Sequence, residues 1–165
     1  MQAEILNEFV GAATTVLSDH FGISISGSRQ PKVVSGNPDL DPVMVVLRIT
    51  GELDGHFCIG CSEGVALEIV RAMMMNPDIA ELDEMSMSAL SELANMIAGT
   101  ALPSLEKRGH CCNLEPPQVY RRNDNPAQLD FGQLIMLPVI SSAGDISFYI
   151  ALSRGTEYKG AYNVN

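Results

Sequence analysis

One pattern decides how this chain folds: Glu92-x-x-Asn95-x-x-x-Gly99-x-Ala101-x-x-x-Leu105. The same residue types occur 88 positions earlier, as Glu4-x-x-Asn7-x-x-x-Gly11-x-Ala13-x-x-x-Leu17. In both stretches the apolar residues recur every three or four positions, which is typical of a helix with one buried face. The repeat therefore predicts two related halves folded against each other, each containing one of these helices.

Apolar spacing extends the two repeat helices to about residues 3–20 and 82–107, and it predicts a further helix at about residues 63–75. Pro103 has no N–H to donate to the carbonyl of Gly99, so we expect a kink near Gly99.

Runs rich in β-branched residues predict two hairpins and some shorter extended segments. The hairpin strands are expected at residues 43–49, 57–60, 129–140 and 146–152, with turns at Gly51–Gly55 and Ser141–Asp145, and the short segments at 23–26, 32–34 and 116–120. Pro138 lies within one of these strands, which favours an edge position or a bulge.

Each half is thus a long helix followed by a hairpin, which predicts an α/β (α+β) layered fold with much antiparallel pairing. At 165 residues the chain is expected to form one domain, residues 1–155, followed by a polar tail at 156–165. The polar segments at 27–42 and 121–128 are predicted loops.

Composition restricts the classes of partner. The net charge of -10 disfavours binding to nucleic acid or to an anionic membrane surface. No run approaches the about 20 apolar residues that span a bilayer, and the N-terminus lacks a secretory signal pattern. We therefore expect a cytoplasmic protein with reduced thiols.

The Glu-x-x-Asn spacing places a carboxylate and a carboxamide side by side on one helix face. A carboxamide both donates and accepts hydrogen bonds, so Asn95 is suited to hold a water in line with a phosphorus atom. Glu92 would be repelled by a phosphoryl group and is suited to pair with a cation of a partner. Ser88, Met96 and Gly99 are the expected partner contacts beside them.

The alternative interpretation of the motif is an ordinary solvated helix face. Asn and Gly are poor residues for a helix interior, however, and both occur on the polar stripe of each repeat helix. Their presence favours a functional role for the stripe.

The cysteines suggest a second alternative, a zinc or redox site. Cys58-x-x-Cys61 has the spacing of a metal knuckle, and Cys111 and Cys112 follow His110. Because Cys58 and Cys61 are expected to face opposite ways from one strand, we predict no metal site and interpret them as buried or incidental thiols.

Longer stretches resemble the CheC/CheX/FliY family of chemotaxis phosphatases, and most closely its CheX-type members. The similar stretches are Leu82–Ser86 leading into Ser91–Gly99, Pro116–Val119, Leu137–Val139 and the hairpin at Ile49–Gly55.

The resemblance implies a hydrolase that dephosphorylates the aspartyl phosphate of a CheY-type response regulator in two-component signalling. It assigns the water-orienting role to Asn95 and pairing with a regulator lysine to Glu92. It also implies that the regulator supplies Mg²⁺, that the fold packs two long helices on the sheet with pseudo-twofold symmetry, and that the protein is a homodimer.

Asn7 and Glu4 form a second candidate site, because related proteins use either one or two copies of the motif. Glu8 would place a further negative charge beside Asn7. The rival interpretation of the whole chain is a non-catalytic module of the same fold that binds a response regulator or a flagellar switch without hydrolysis.

Overall fold

The computed structural model describes residues 2–35, 41–122 and 131–155. Within this part the helices are α1 (Gln2–Phe21), α2 (Glu63–Met74) and α3 (Glu84–Lys107). The strands are β1 (Ile25–Ser28), β2 (Lys32–Ser35), β3 (Val43–Gly51), β4 (Leu53–Cys61), β5 (Cys112–Leu114), β6 (Gln118–Arg121), β7 (Gln133–Ser141) and β8 (Gly144–Arg154). The predicted tail at 156–165 lies outside the described residues. So do residues 36–40 of the predicted loop at 27–42 and residues 123–128 of the predicted loop at 121–128.

All eight strands belong to one sheet, in the order β1-β7-β8-β4-β3-β5. Strand β2 also pairs with β7, and β6 also pairs with β3; every pairing is antiparallel. The predicted mixed class with a largely antiparallel sheet is confirmed. The hairpin turn at Gly51 is tighter than predicted, because β4 already begins at Leu53.

The expected packing of two long helices on the sheet is incomplete, because the described part of the chain has a third, shorter helix, α2. Helix α2 is capped by Ser62, whose side chain accepts a hydrogen bond from the N–H of Val65 at 3.2 Å. It buries Ala66, Ile69 and Val70 and packs against α3. Its own amphipathic pattern therefore gives it a place in the helical layer.

The same order of elements occurs after each repeat helix, since β1–β4 follow α1 as β5–β8 follow α3. The connections correspond in detail. The N–H of Arg29 donates to the carbonyl of Pro138 at 2.8 Å, and the N–H of Glu115 donates to the carbonyl of Arg48 at 3.0 Å. Each bond joins the segment between two short strands to the long strand that both of them pair with.

The edge position predicted for Pro138 is wrong, because β7 has β8 on one side and β1 and β2 on the other. Strand β1 pairs with β7 as far as Val139, and β2 begins at Met136, so Pro138 faces the gap between them. A missing N–H removes no strand-to-strand hydrogen bond at that gap. The register irregularity in this pairing lies at Ile25–Gly27 of β1.

The three helices cover one face of the sheet, and most of the core lies between these two layers. Phe9 of α1 stacks on Phe57 of β4 at 4.4 Å between ring centroids, and Phe57 stacks on Phe148 of β8 at 5.8 Å. These three buried rings join α1 to the two central strands. The opposite face of the sheet carries a smaller buried cluster: Met44, Val46, Cys58, Leu134 and Tyr149.

No helix in the described part of the chain has the length and hydropathy that a membrane-spanning segment needs.

Helix α3 begins at a well-formed cap. The carboxylate of Asp83 accepts hydrogen bonds from the N–H of Ser86 at 2.9 Å and from its hydroxyl at 2.8 Å. The N–H bond is the main cause that lowers the pKa of Asp83 below its ordinary value of 3.8. A lowered pKa in the folded state means that the charged cap stabilises the fold at neutral pH and loses this effect as the pH falls through that pKa.

We expect Asp83→Ala to lower the melting temperature at pH 7, because it leaves the first turn of α3 without its acceptor. The difference from the parent protein should shrink as the pH falls below 3.8. Thermal unfolding followed by circular dichroism across this range is the measurement. Asp83→Asn is the control, since it keeps a capping oxygen without the charge. A difference in melting temperature between Asp83→Ala and the parent protein that does not depend on pH would contradict the account.

Candidate functional site

The buried face of α3 determines which residues the helix presents outward. Apolar side chains and Ser86 fill the inward face: Ser86, Leu90, Leu93, Ala94, Ile97, Ala98, Ala101 and Leu105. On the other face Ser88, Glu92, Asn95 and Gly99 are exposed. We call these four residues the α3 stripe. Successive members are three or four positions apart, so they form one continuous line along the helix.

Asn95 and Glu92 are not held by the fold itself. Neither side chain makes a hydrogen bond or an ion pair with any other residue that the structure describes. They are separated by about 4.5 Å along the helix axis, which is the rise over three residues. Both groups are therefore available to one and the same partner.

Met96, an expected partner contact, is half-buried and packs against the core between helices and sheet. Only part of its side chain remains accessible beside Asn95. Its role as a partner contact stays a prediction.

Gly99 is not required by the packing of this fold. A Cβ atom built on Gly99 would meet no heavy atom within 4 Å outside the adjacent helical backbone, and the same holds for Gly11. Glycine in a helix interior lowers stability by about 0.5–1 kcal/mol relative to alanine. An exposed glycine that the fold does not need is consistent with a surface where another backbone comes close.

The first copy of the motif, on α1, is also exposed at Glu4, Asn7 and Gly11. Asn7 lines a cavity of about 390 Å³ together with Ser28 and Arg29 of the β1–β2 connection. No described residue forms a hydrogen bond or an ion pair with the side chain of Glu4 or Asn7.

The negative charge that Glu8 adds beside Asn7 is paired with a cation. The Glu8 carboxylate pairs with the Arg108 guanidinium at 2.6 Å, so α1 is tied at this point to the end of α3. Asn95 precedes Arg108 by 13 positions in the sequence, which is about 20 Å along a helix. The two copies of the motif therefore form separate sites.

The cysteines do not converge. Cys58 lies in the cluster on the outer face of the sheet and Cys61 in the core on the helix side, as the alternation of the strand predicts. Burial raises the pKa of the Cys61 thiol to about 12 and that of Cys58 further still. Among residues 2–35, 41–122 and 131–155 no three His, Cys, Asp or Glu side chains lie close enough to hold a metal ion.

A cavity of about 420 Å³ that no sequence pattern indicated lies on the outer face of the sheet, and its lining includes Arg48, Asp54 and His56. Arg48 pairs with Asp54 at 2.5 Å and donates to the carbonyl of Gly55 at 2.9 Å. Burial, with a smaller effect of Arg48, lowers the pKa of His56. Because Arg48 is engaged in these bonds, we interpret it as a support for the β3–β4 hairpin.

Comparison with known proteins identifies the family. The family profile described as chemotaxis phosphatase CheX matches residues 43–139. The CheY-P phosphatase CheX of Thermotoga maritima is 31% identical over 94% of this chain and 99% of its own length. This chain belongs to the CheX family. The residues that the profile matches include the α3 stripe and exclude the first copy of the motif on α1.

Solved structures share the architecture. The crystal structure of a chemotaxis protein CheX from Desulfovibrio desulfuricans is 27% identical, has a TM-score of 0.75, and covers 91% of this chain and 99% of its own. A chain in the CheX–CheY–BeF3–Mg complex from Borrelia burgdorferi is 20% identical with a TM-score of 0.73, over 90% of this chain and 97% of that one. At this identity the second comparison shows the fold alone.

We expect Gly99→Ala to raise the free energy of unfolding by about 0.5–1 kcal/mol, because alanine orders the helix at lower entropic cost. Gly11→Ala is the matched control in the equivalent position of α1 and should give a similar gain. Urea unfolding of both variants is the measurement. A destabilised Gly99→Ala variant would show that the fold itself needs this glycine.

Proposed function

We propose that this chain is a phosphatase that hydrolyses the aspartyl phosphate of a CheY-type response regulator. The observation that carries the proposal is the exposed Asn95 side chain, which no described residue binds and which lies one turn from an exposed Glu92. Both residues lie within the stretch matched by the CheX family profile. The similar protein from Thermotoga maritima is named a CheY-P phosphatase.

In the proposed reaction the Asn95 carboxamide enters the regulator's active site and orients a water molecule toward the phosphorus. The water oxygen forms the new bond to phosphorus, and the bond between phosphorus and the aspartyl oxygen breaks. The regulator recovers its carboxylate, and inorganic phosphate leaves. A carboxamide neither gives nor takes a proton, so the contribution of Asn95 is position and hydrogen bonding.

Charge determines the role of Glu92. Two like charges about 4 Å apart at a protein surface repel by about 4 kcal/mol, so contact between the Glu92 carboxylate and the phosphoryl group is unfavourable. A lysine of the regulator beside the phosphoryl group would reverse the sign of this interaction. We therefore propose that Glu92 pairs with that lysine and fixes the direction in which α3 docks.

The regulator is the proposed source of Mg²⁺, which neutralises charge on the phosphoryl oxygens in reactions of this type. We also propose a homodimer and an internal pseudo-twofold relation between the two halves. The repeated element order and the matching Arg29–Pro138 and Glu115–Arg48 backbone bonds support the internal relation.

We expect Asn95→Ala to abolish accelerated loss of the phosphoryl group, with a fall of about 100-fold, the order seen when one positioned polar group is removed from a catalytic site. The measurement follows radiolabel on each candidate regulator after phosphorylation in vitro. Asn7→Ala is the matched control and should retain activity.

Three outcomes separate the alternatives. Unchanged activity in Asn95→Ala would refute the role of that residue. Loss of activity in Asn7→Ala but not in Asn95→Ala would show that the active site lies on α1. A parent chain that binds the regulators without hydrolysing their phosphoryl groups would favour the non-catalytic interaction module.

We expect Glu92→Gln to weaken docking more than it slows the chemical step, so KM should rise while kcat changes little. The lost attraction is electrostatic and partly screened by salt, so the difference in KM should be larger at low ionic strength. Steady-state phosphate release at two salt concentrations is the measurement, with Glu4→Gln as the control. An equal rise in KM at both salt concentrations would argue against ion pairing.

A further inference from the structure

Helix α3 contains a proline at the point where its exposed face needs a hydrogen-bond donor. In an α-helix the carbonyl of residue i accepts from the N–H of residue i+4. The residue four positions after Gly99 is Pro103, which has no N–H. No side chain in the described part of the chain donates to the Gly99 carbonyl instead. This oxygen therefore lacks its normal helical donor.

The oxygen lies where a partner can reach it. Gly99 and Pro103 are both exposed, and a Cβ atom added to Gly99 would meet no heavy atom within 4 Å apart from the adjacent helical backbone. Gly99 is one turn from Asn95, about 6 Å along the helix axis. A protein that contacts the Asn95 side chain would therefore also come close to the backbone of Gly99.

The first repeat helix has no proline at the corresponding position. In α1 the equivalent position is Thr15, which has an N–H for the carbonyl of Gly11. Proline is the least favourable residue for a helix interior. The hydroxyl of nearby Thr100 donates to the carbonyl of Met96 at 2.8 Å and so does not replace the missing donor at Gly99.

We propose that the Gly99 carbonyl accepts a hydrogen bond from an N–H donor of the docked response regulator, and that Pro103 is the positioning residue that keeps this acceptor free. The inference rests on the proposed function and adds a second anchor to its site. A carbonyl oxygen attracts a backbone amide, an ammonium or a guanidinium and not a phosphoryl oxygen. The contact therefore supports binding of the regulator polypeptide, and the reaction itself depends on Asn95.

The test uses the full chain with Pro103→Ala, which restores an N–H at that position and closes the helical hydrogen bond. We expect the Kd for a regulator loaded with beryllofluoride and Mg²⁺ to rise about fivefold, the worth of one hydrogen bond. We expect kcat at saturating phosphorylated regulator to stay unchanged and the melting temperature to rise. Thr15→Ala changes the equivalent position of α1 without adding an N–H, and should alter neither Kd nor kcat.

A direct readout is the carbonyl ¹³C resonance of Gly99 in glycine-labelled chain. We expect it to shift when the loaded regulator binds the parent chain, and to shift much less in Pro103→Ala. The double variant Gly99→Ala/Pro103→Ala should raise Kd by a smaller factor than the product of the two separate factors, because both changes act on one contact.

The outcomes distinguish failure of this inference from failure of the proposed function. An unchanged Kd in Pro103→Ala overturns the inference, whether or not kcat falls. The role of Asn95 then remains intact if Asn95→Ala is inactive. Full activity in Asn95→Ala overturns the proposed role of Asn95 in the reaction. If no loaded regulator binds the parent chain, both are overturned.

Discussion

The burial of one face of α3 is the constraint on which the rest of the account depends. Leu93, Ile97 and Leu105 are almost fully inaccessible between the helical layer and the sheet. Consecutive helical residues are about 100° apart around the axis, so inward Leu93 and Ile97 require that Glu92, Asn95 and Gly99 point away from the sheet. Truncation of a buried leucine or isoleucine typically costs about 2–5 kcal/mol, which makes any other rotation of the helix unfavourable. The orientation of the helix that carries the site is thus fixed by the core on its reverse side.

The two copies of the motif share residue types and exposure but differ in their surroundings. Asn7 lies beside a cavity with Arg29 and close to the Glu8–Arg108 ion pair. Asn95 lies on a helix whose next turns contain Gly99 and Pro103, and it belongs to the region that the family profile matches. The same motif residues therefore occur on two helices whose neighbouring residues differ.

Local sequence patterns correctly predict features that depend only on neighbouring residues, such as helix bounds and the face of a strand on which a side chain lies. Helix α3 was expected at residues 82–107 and is observed at Glu84–Lys107, because its apolar period and Asp83 cap are local. Alternation along β4 correctly placed Cys58 and Cys61 on opposite faces of the sheet. The exposure of the α3 stripe followed from the same periodicity.

Features that depend on distant parts of the chain could not be predicted in this way. Pro138 lies inside the sheet because β1 and β2 leave a gap opposite it, and that gap is set by residues more than 100 positions earlier. The Glu8–Arg108 ion pair likewise joins two residues that are 100 positions apart in the sequence. Helical periodicity places Gly99 on the exposed face, but packing shows that the fold does not need a glycine there.

The most direct test of the central claim is the side-chain amide resonance of Asn95 in ¹⁵N-labelled chain as a beryllofluoride-loaded regulator is added. The account predicts that in the free chain this amide exchanges rapidly with water, and that it shifts and becomes protected in the complex while the Asn7 amide does not change. A protected Asn95 amide in the free chain, or a complex in which its resonance stays in place, would contradict the account.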